Sequence, residues 1–160
     1  MRVFTVPFQG TVTAAGADTD LFELAPAAGK PIRLRGLVLS QFSEVGDAQE
    51  ESIRISIVRM TGTVTSGSGG SSVTPVPIKG NMAAAGFTAE ANNATVATTS
   101  GTTTVVEEFA WNLRNAPLER WWPDADFCFD AKNPEYLLIR MQSTLADDAS
   151  FAMTAYVEEI

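Results

Sequence analysis

Catalysis near neutral pH leans on side chains that titrate there, and this 160-residue chain has no histidine and a single cysteine, Cys128. Those two counts exclude Ser-His-Asp and Cys-His catalysis, His/Cys zinc sites and an intramolecular disulfide. Carboxylate chemistry is what remains. Asp124-Ala125-Asp126 with Asp130, Asp147-Asp148 and Glu158-Glu159 place acids close enough to offer oxygen ligands to a hard cation. They lack the glycine and terminal glutamate of an EF-hand loop, and read as solvated acidic turns. Paired carboxylates also serve glycoside hydrolysis, but no accompanying constellation marks such a site. Gly62 to Gly70 is glycine-rich, yet no Lys-Ser/Thr pair follows and no helix opens after it, so it is not a phosphate cradle. Asn93-Ala94-Thr95 fits a glycosylation sequon without a secretion signal beside it. No cofactor and no metal are expected. Trp111, Trp121 and Trp122 are the last candidates: an outward indole can stack on a sugar, although core or interface packing is the commoner use.

The elements that would carry these residues read as strands. Hydrophobic residues make up 45% of the chain and charged residues 19%, enough for one domain with a real core. With 11 basic and 19 acidic residues the net charge is −8, which argues against a nucleic-acid backbone as partner and favours solubility. No window approaches the roughly 20 apolar residues that span a bilayer. The run after Met1-Arg2 is too short, and too soon broken by Pro7, for a signal-peptide core. A lone Cys128 between two phenylalanines reads as a buried thiol in a reducing compartment, so the chain is expected to be made in a cytoplasm.

Arg2 to Thr13 is β-branched and aromatic, and Pro7 predicts an edge position or a bulge. A short strand is expected over Leu21 to Leu24. From Ile32 to Phe42 strict alternation would put Ile32, Leu34, Gly36, Val38 and Ser40 on one face and Arg33, Arg35, Leu37 and Leu39 on the other. Ser52 to Met60 alternates most clearly, with Ile53, Ile55 and Ile57 inward and Arg54, Ser56 and Val58 outward. Thr102 to Arg114, Glu135 to Thr144 and Ala149 to Glu159 complete the set, and no amphipathic helix competes. The expected fold is all-β, a jelly-roll-like antiparallel β-sandwich in one domain spanning residues 1–160.

Between Thr61 and Gly101 the chain is Gly, Ser, Thr, Ala and Asn, with Lys79 and Glu90 as its only charges. A long, nearly uncharged insertion of this kind suits contact with a partner surface, because it strands no buried charge there. Leu37, Leu39 and Val58 would give the strands a second apolar face, which burial in a trimer would explain.

The chain resembles the small β-sandwich decoration (cement) proteins of tailed-bacteriophage heads. The resemblance rests on Asp20 to Leu24, Gly29 to Gln41, Glu51 to Arg59, the Ser66 to Pro77 stretch and the closing Tyr156-Val157-Glu158-Glu159-Ile160. It implies a non-enzymatic virion protein on the outer surface of the capsid, often a homotrimer, that binds between major capsid protein subunits and holds the head against internal DNA pressure. No direct nucleic-acid or membrane contact follows from it. The expected interface residues are Val73, Val76, Pro77, Ile78, Met82 and Phe87 from the insertion. Val3, Phe4, Val6 and Phe8 come from the first strand, which could add to a neighbour's sheet, and Trp121 and Trp122 join them. A glycan- or receptor-binding sandwich is the alternative, followed by another virion module and, last, a carboxylate enzyme.

Overall fold

A computed structural model describes residues 1–14, 16–44, 46, 50–142 and 145–160. Among the described residues, fourteen strands and one 3₁₀ turn at Ala125–Phe127 make up the regular structure. The first sheet contains β1 (Arg2–Val12), β3 (Ile32–Gln41), β7 (Val76–Pro77), β11 (Leu118–Trp121), β12 (Phe129–Ala131) and β14 (Ala149–Glu159). Its order is β11-β3-β14-β1-β7, with β12 also on β3. The second holds β2 (Thr19–Pro26), β4 (Ser52–Met60), β6 (Ser71–Val73), β8 (Phe87–Asn93), β10 (Thr103–Asn112) and β13 (Tyr136–Met141), in the order β10-β4-β13-β2-β8-β6. A small ribbon pairs β5 (Val64–Thr65) with β9 (Thr98–Thr99). All pairings are antiparallel, and the two sheets pack as a sandwich. Among the described residues no helix is long and apolar enough to cross a membrane.

The core lies between the sheets. Ile53, Ile55 and Ile57 of β4 meet Leu21 of β2, Leu34 of β3, Phe151 and Val157 of β14 and their neighbours, all essentially inaccessible to water. Burying side chains of this size contributes roughly 1.5–3 kcal/mol each, which is what drives the sheets together. β4 therefore matches its sequence pattern from end to end. Pro7 sits where β1 has run past β7 and become the edge of the sheet, so its missing N–H interrupts no outer ladder.

β3 departs from strict alternation. Against β14, Gly36 pairs with Tyr156 and Leu34 with Val157, so Arg35 is the extra residue of a bulge. The parity flips there. Leu37 and Leu39 turn into the core beside Ile32 and Leu34, while Val38 and Ser40 turn outward. The second apolar face expected from Leu37 and Leu39 does not exist, and it lends a trimer no support.

The insertion is neither a bare loop nor a free strap. It leaves β4 and returns to pair beside it as β10, with Met60 opposite Thr103. In between it supplies β8 and β6 to the second sheet and β7 to the first, so most of its length is committed to its own sandwich.

Candidate interaction surface

β1 and β7 join two segments that sequence reasoning treated separately. Thr5 lies opposite Val76 and Phe4 opposite Pro77, and the Ile78 N–H donates to the Val3 carbonyl at 3.1 Å. Cross-strand partners share a face. Phe4 and Pro77 thus point inward, and Val3, Thr5, Val76 and Ile78 point out. Val76 is 48% exposed and Ile78 55%, forming an apolar ridge at this edge.

Four of the expected contact residues are core instead. Phe4 and Val6 are fully buried by the inward parity of β1, and Phe87 meets Phe4 edge-on at 5.7 Å. Trp122 packs edge-on against Phe129 at 5.2 Å and donates its indole N–H to Glu107 Oε2 at 3.1 Å. Phe8, Val73 and Met82 are half-buried against the same core. Trp111 is buried too, against Phe151, so it is no platform for a sugar.

Trp121 behaves differently. It is 51% exposed, on the opposite edge of the first sheet from Val76. Its ring lies over Gly36, where an added Cβ would stand 2.4 Å from it, and 4.7 Å from the ring of Tyr156. Only glycine leaves room for that indole. Tyr156 thus joins the surface and Gly36 lies beneath the indole, though neither was foreseen; a glycine directly after Arg35 inside a strand was the available signal.

Between Trp121 and Ile78 runs the outer face of the first sheet. Val38 and Ser40 of β3, Ala152 and Thr154 of β14, and Pro7 and Gln9 of β1 line a shallow depression of about 480 Å³. These side chains are small and uncharged. Charge stands at the β11 border, where the exposed Glu119 lies opposite Val38 and shares its face, and toward one end, where Arg33 grips Asp130 through two hydrogen bonds of 2.8 and 3.1 Å and Arg35 approaches Glu158 at 3.5 Å. Among the described residues, no other part of the chain covers the strip.

The outer face of the second sheet is covered by the insertion. Val58, Met60 and Leu138 form a minor apolar cluster with Ala97, and Val64 and Tyr136 pack against it. Beside them Arg140 holds Asp20 through two hydrogen bonds, 2.6 and 3.0 Å, with the carboxylate fully inaccessible. The Ala97 N–H donates to Asp20 at 2.7 Å, and the Ala97 carbonyl accepts from Arg140. Glu23 accepts from the Ser66 hydroxyl, the Gly67 N–H and the Asn93 amide, and the same Ser66 and Asn93 also reach Glu90. Burial pushes the Glu23 carboxyl above its ordinary value, more than those hydrogen bonds pull it down. Burial, followed by the charges of Glu23 and Glu90, likewise raises the Tyr136 phenol.

The acidic pairs are in structural use. Asp124 caps the 3₁₀ turn by accepting from the Asp126 N–H, Asp148 accepts from the Ala14 N–H, and Glu159 binds Arg2, Lys30 and the Gly86 N–H. Among the described residues no three His, Cys, Asp or Glu side chains converge as a metal site. Cys128, expected to be buried, is half-buried, its thiol directed at the Trp122 carbonyl 2.8 Å away. Compared with known proteins, the chain matches no family model, no curated protein and no solved structure.

Proposed function

We propose that the chain is a non-enzymatic structural virion protein, a capsid decoration protein that seats between major capsid protein subunits and braces the head from its outer surface. One observation carries the reading. A broad sheet face of small uncharged side chains stands bare, bounded by Trp121 with Tyr156 on one side and Val76 with Ile78 on the other. Cores of protein interfaces are depleted in charge and enriched in aromatic residues; the centre of this face is uncharged, and Trp121 and Tyr156 stand at its border beside Glu119. Setting aside the insertion's own strands β5 to β9, and counting β11 and β12 as one interrupted strand, the remaining eight run first-eighth-third-sixth in one sheet and second-seventh-fourth-fifth in the other, an order that supports a jelly roll. The insertion acts in this reading as a buttress that stiffens the far side of the sandwich. The bare face is also the surface through which copies would meet in a trimer around a capsid symmetry axis.

The test adds purified protein to shells assembled from the candidate major capsid protein. It should co-sediment and raise their melting temperature, and Thr154→Arg or Ile78→Arg should abolish both effects. If the parent neither sediments with the shells nor shifts their melting, the proposal is lost. Light scattering during size-exclusion chromatography checks the oligomer, a trimer having three times the 17.1 kDa of the chain.

Trp121 supports a second reading, because a half-exposed indole backed by Tyr156 could stack on a sugar ring. Quenching of tryptophan fluorescence by a glycan, lost in Trp121→Ala, would favour it over capsid adhesion.

A further inference from the structure

Two carboxylates face each other on the covered side of the second sheet. Glu23 of β2 stands directly opposite Glu90 of β8, and like charges in that position repel. Glu23 is buried and Glu90 half-buried. Among the described residues neither makes an ion pair. Asp20 of β2 adds a third negative charge, which Arg140 of β13 already answers, and Tyr136 of β13 is neutral at ordinary pH. β6 and the segments 61–73 and 94–102 bring no charged side chain to the pair, and Lys79 follows β7 on the other sheet.

The hydrogen bonds around the two acids are one proton short. The Asn93 amide has two N–H groups, and gives one to Glu23 Oε1 at 2.6 Å and one to Glu90 Oε2 at 2.9 Å. The Ser66 hydroxyl has a single proton, yet its oxygen lies 2.6 Å from Glu23 Oε2 and 3.2 Å from Glu90 Oε2. With both acids ionised, that one hydrogen cannot serve both approaches at full strength. A proton on either carboxyl completes the chain, because the hydroxyl then donates to one acid and accepts from the other. Burial favours the protonated form. The covering segment is shaped for this contact: the Gly67 N–H donates to Glu23 Oε1 at 2.9 Å, and a Cβ on Gly67 would collide with that same oxygen.

We propose that Glu23 and Glu90 share one proton through the Ser66 hydroxyl, and that this proton latches residues 66–70 of the insertion onto the second sheet. Its loss sets two full charges side by side beneath the segment and loosens it. Val64, just before the latch, packs on Val58, Met60 and Leu138, so release would bare an apolar cluster that the closed chain hides. The covered face is thus fastened in acid and eases as the shared proton leaves. The latch goes beyond the proposed function and is independent of it, since shell binding reads the bare face and the latch is read at the covered one.

Amide hydrogen exchange at Gly67, Ser68 and Gly70 of the full chain, from pH 4.5 to 7 and divided by each amide's intrinsic rate, tests it. The closed segment holds a proton that the open one releases, so opening should increase with pH by up to about tenfold per unit, the limit for one proton, and level off once it is lost. The amides of β14 should show no such trend. Glu90→Gln puts a permanent donor in place of the shared proton. It should flatten the rise and move titration of the Glu23 carboxyl carbon to lower pH than in the parent. Ser66→Ala should leave the segment open across the range, without the rise. Opening that ignores pH in the parent would overturn the latch, as would a rise spread equally over β14, or Glu23 titrating identically in the parent and in Glu90→Gln.

Discussion

The two outer faces of this sandwich solve the same problem in opposite ways. The second sheet turns Asp20, Glu23, Arg140, Val58 and Leu138 outward, and the chain spends much of a forty-residue excursion covering them. The first sheet turns out Val38, Ser40, Ala152, Thr154 and Gln9, and the chain leaves them bare. A buried ion pair is tolerated only when its remaining hydrogen-bonding capacity is met, and the insertion's backbone at Ala97 meets it for Asp20 and Arg140, while the Gly67 N–H serves the buried Glu23. Small neutral side chains tolerate either water or a partner. The covered face is therefore bound to intramolecular stability, and the bare one is available for adhesion.

Substitutions on the two faces should have correspondingly different effects. The largest stability loss is expected for Arg140→Ala, which leaves the Asp20 carboxylate buried without its partner; urea unfolding should show a cost of about 3–5 kcal/mol. Native-state hydrogen exchange should then find the segment from 94 to 102 opening far more readily than β1 or β14. Glu23→Ala removes the acceptor for Gly67 and Asn93 and should cost about 1–3 kcal/mol. If either variant unfolds at the parent's midpoint, the insertion is not anchored through these groups.

The pH response sharpens the contrast. Glu23 has a folded-state pKa above the ordinary 4.5, so the folded chain binds its proton more tightly than the unfolded one. Its contribution thus weakens as pH rises from 4.5 through the raised value, and recovers as pH falls back. The parent should gain stability relative to Glu23→Gln as the buffer is taken from pH 7 toward 4.5. A constant difference between the two across that range would contradict the buried-carboxylate account. On the bare face the smallest effect is expected: Thr154→Arg should unfold within about 0.5 kcal/mol of the parent while losing shell binding. A large destabilisation there would mean the strip is structural after all.

The insertion shows where sequence reasoning stopped. Read alone, 61–101 has almost no charge and no clear periodicity, so it resembles a pliable strap. Its order comes from charges located elsewhere, on β2 and β13, whose partners are backbone groups that every residue type carries. Phe87, Ala89 and Ala91 do alternate inward, but in a strand of small residues the signal is faint. Phe4, Val6, Phe87 and Trp122 were expected at an interface because an exposed apolar residue and a core residue look alike in one dimension.

The amino-acid sequence determined the all-β class, because alternation in β4 and β14 and the absence of helical periodicity are properties of neighbouring residues. It also confined Pro7 to an edge or a bulge, since a missing N–H acts locally, and the edge is what formed. Only the tertiary structure decided which way Leu37 and Leu39 face, because a single extra residue at Arg35 reverses every side chain after it. The same holds for the fate of the two outer faces: whether a strip of threonine, serine and alanine stays open depends on where a distant segment finds partners for its backbone.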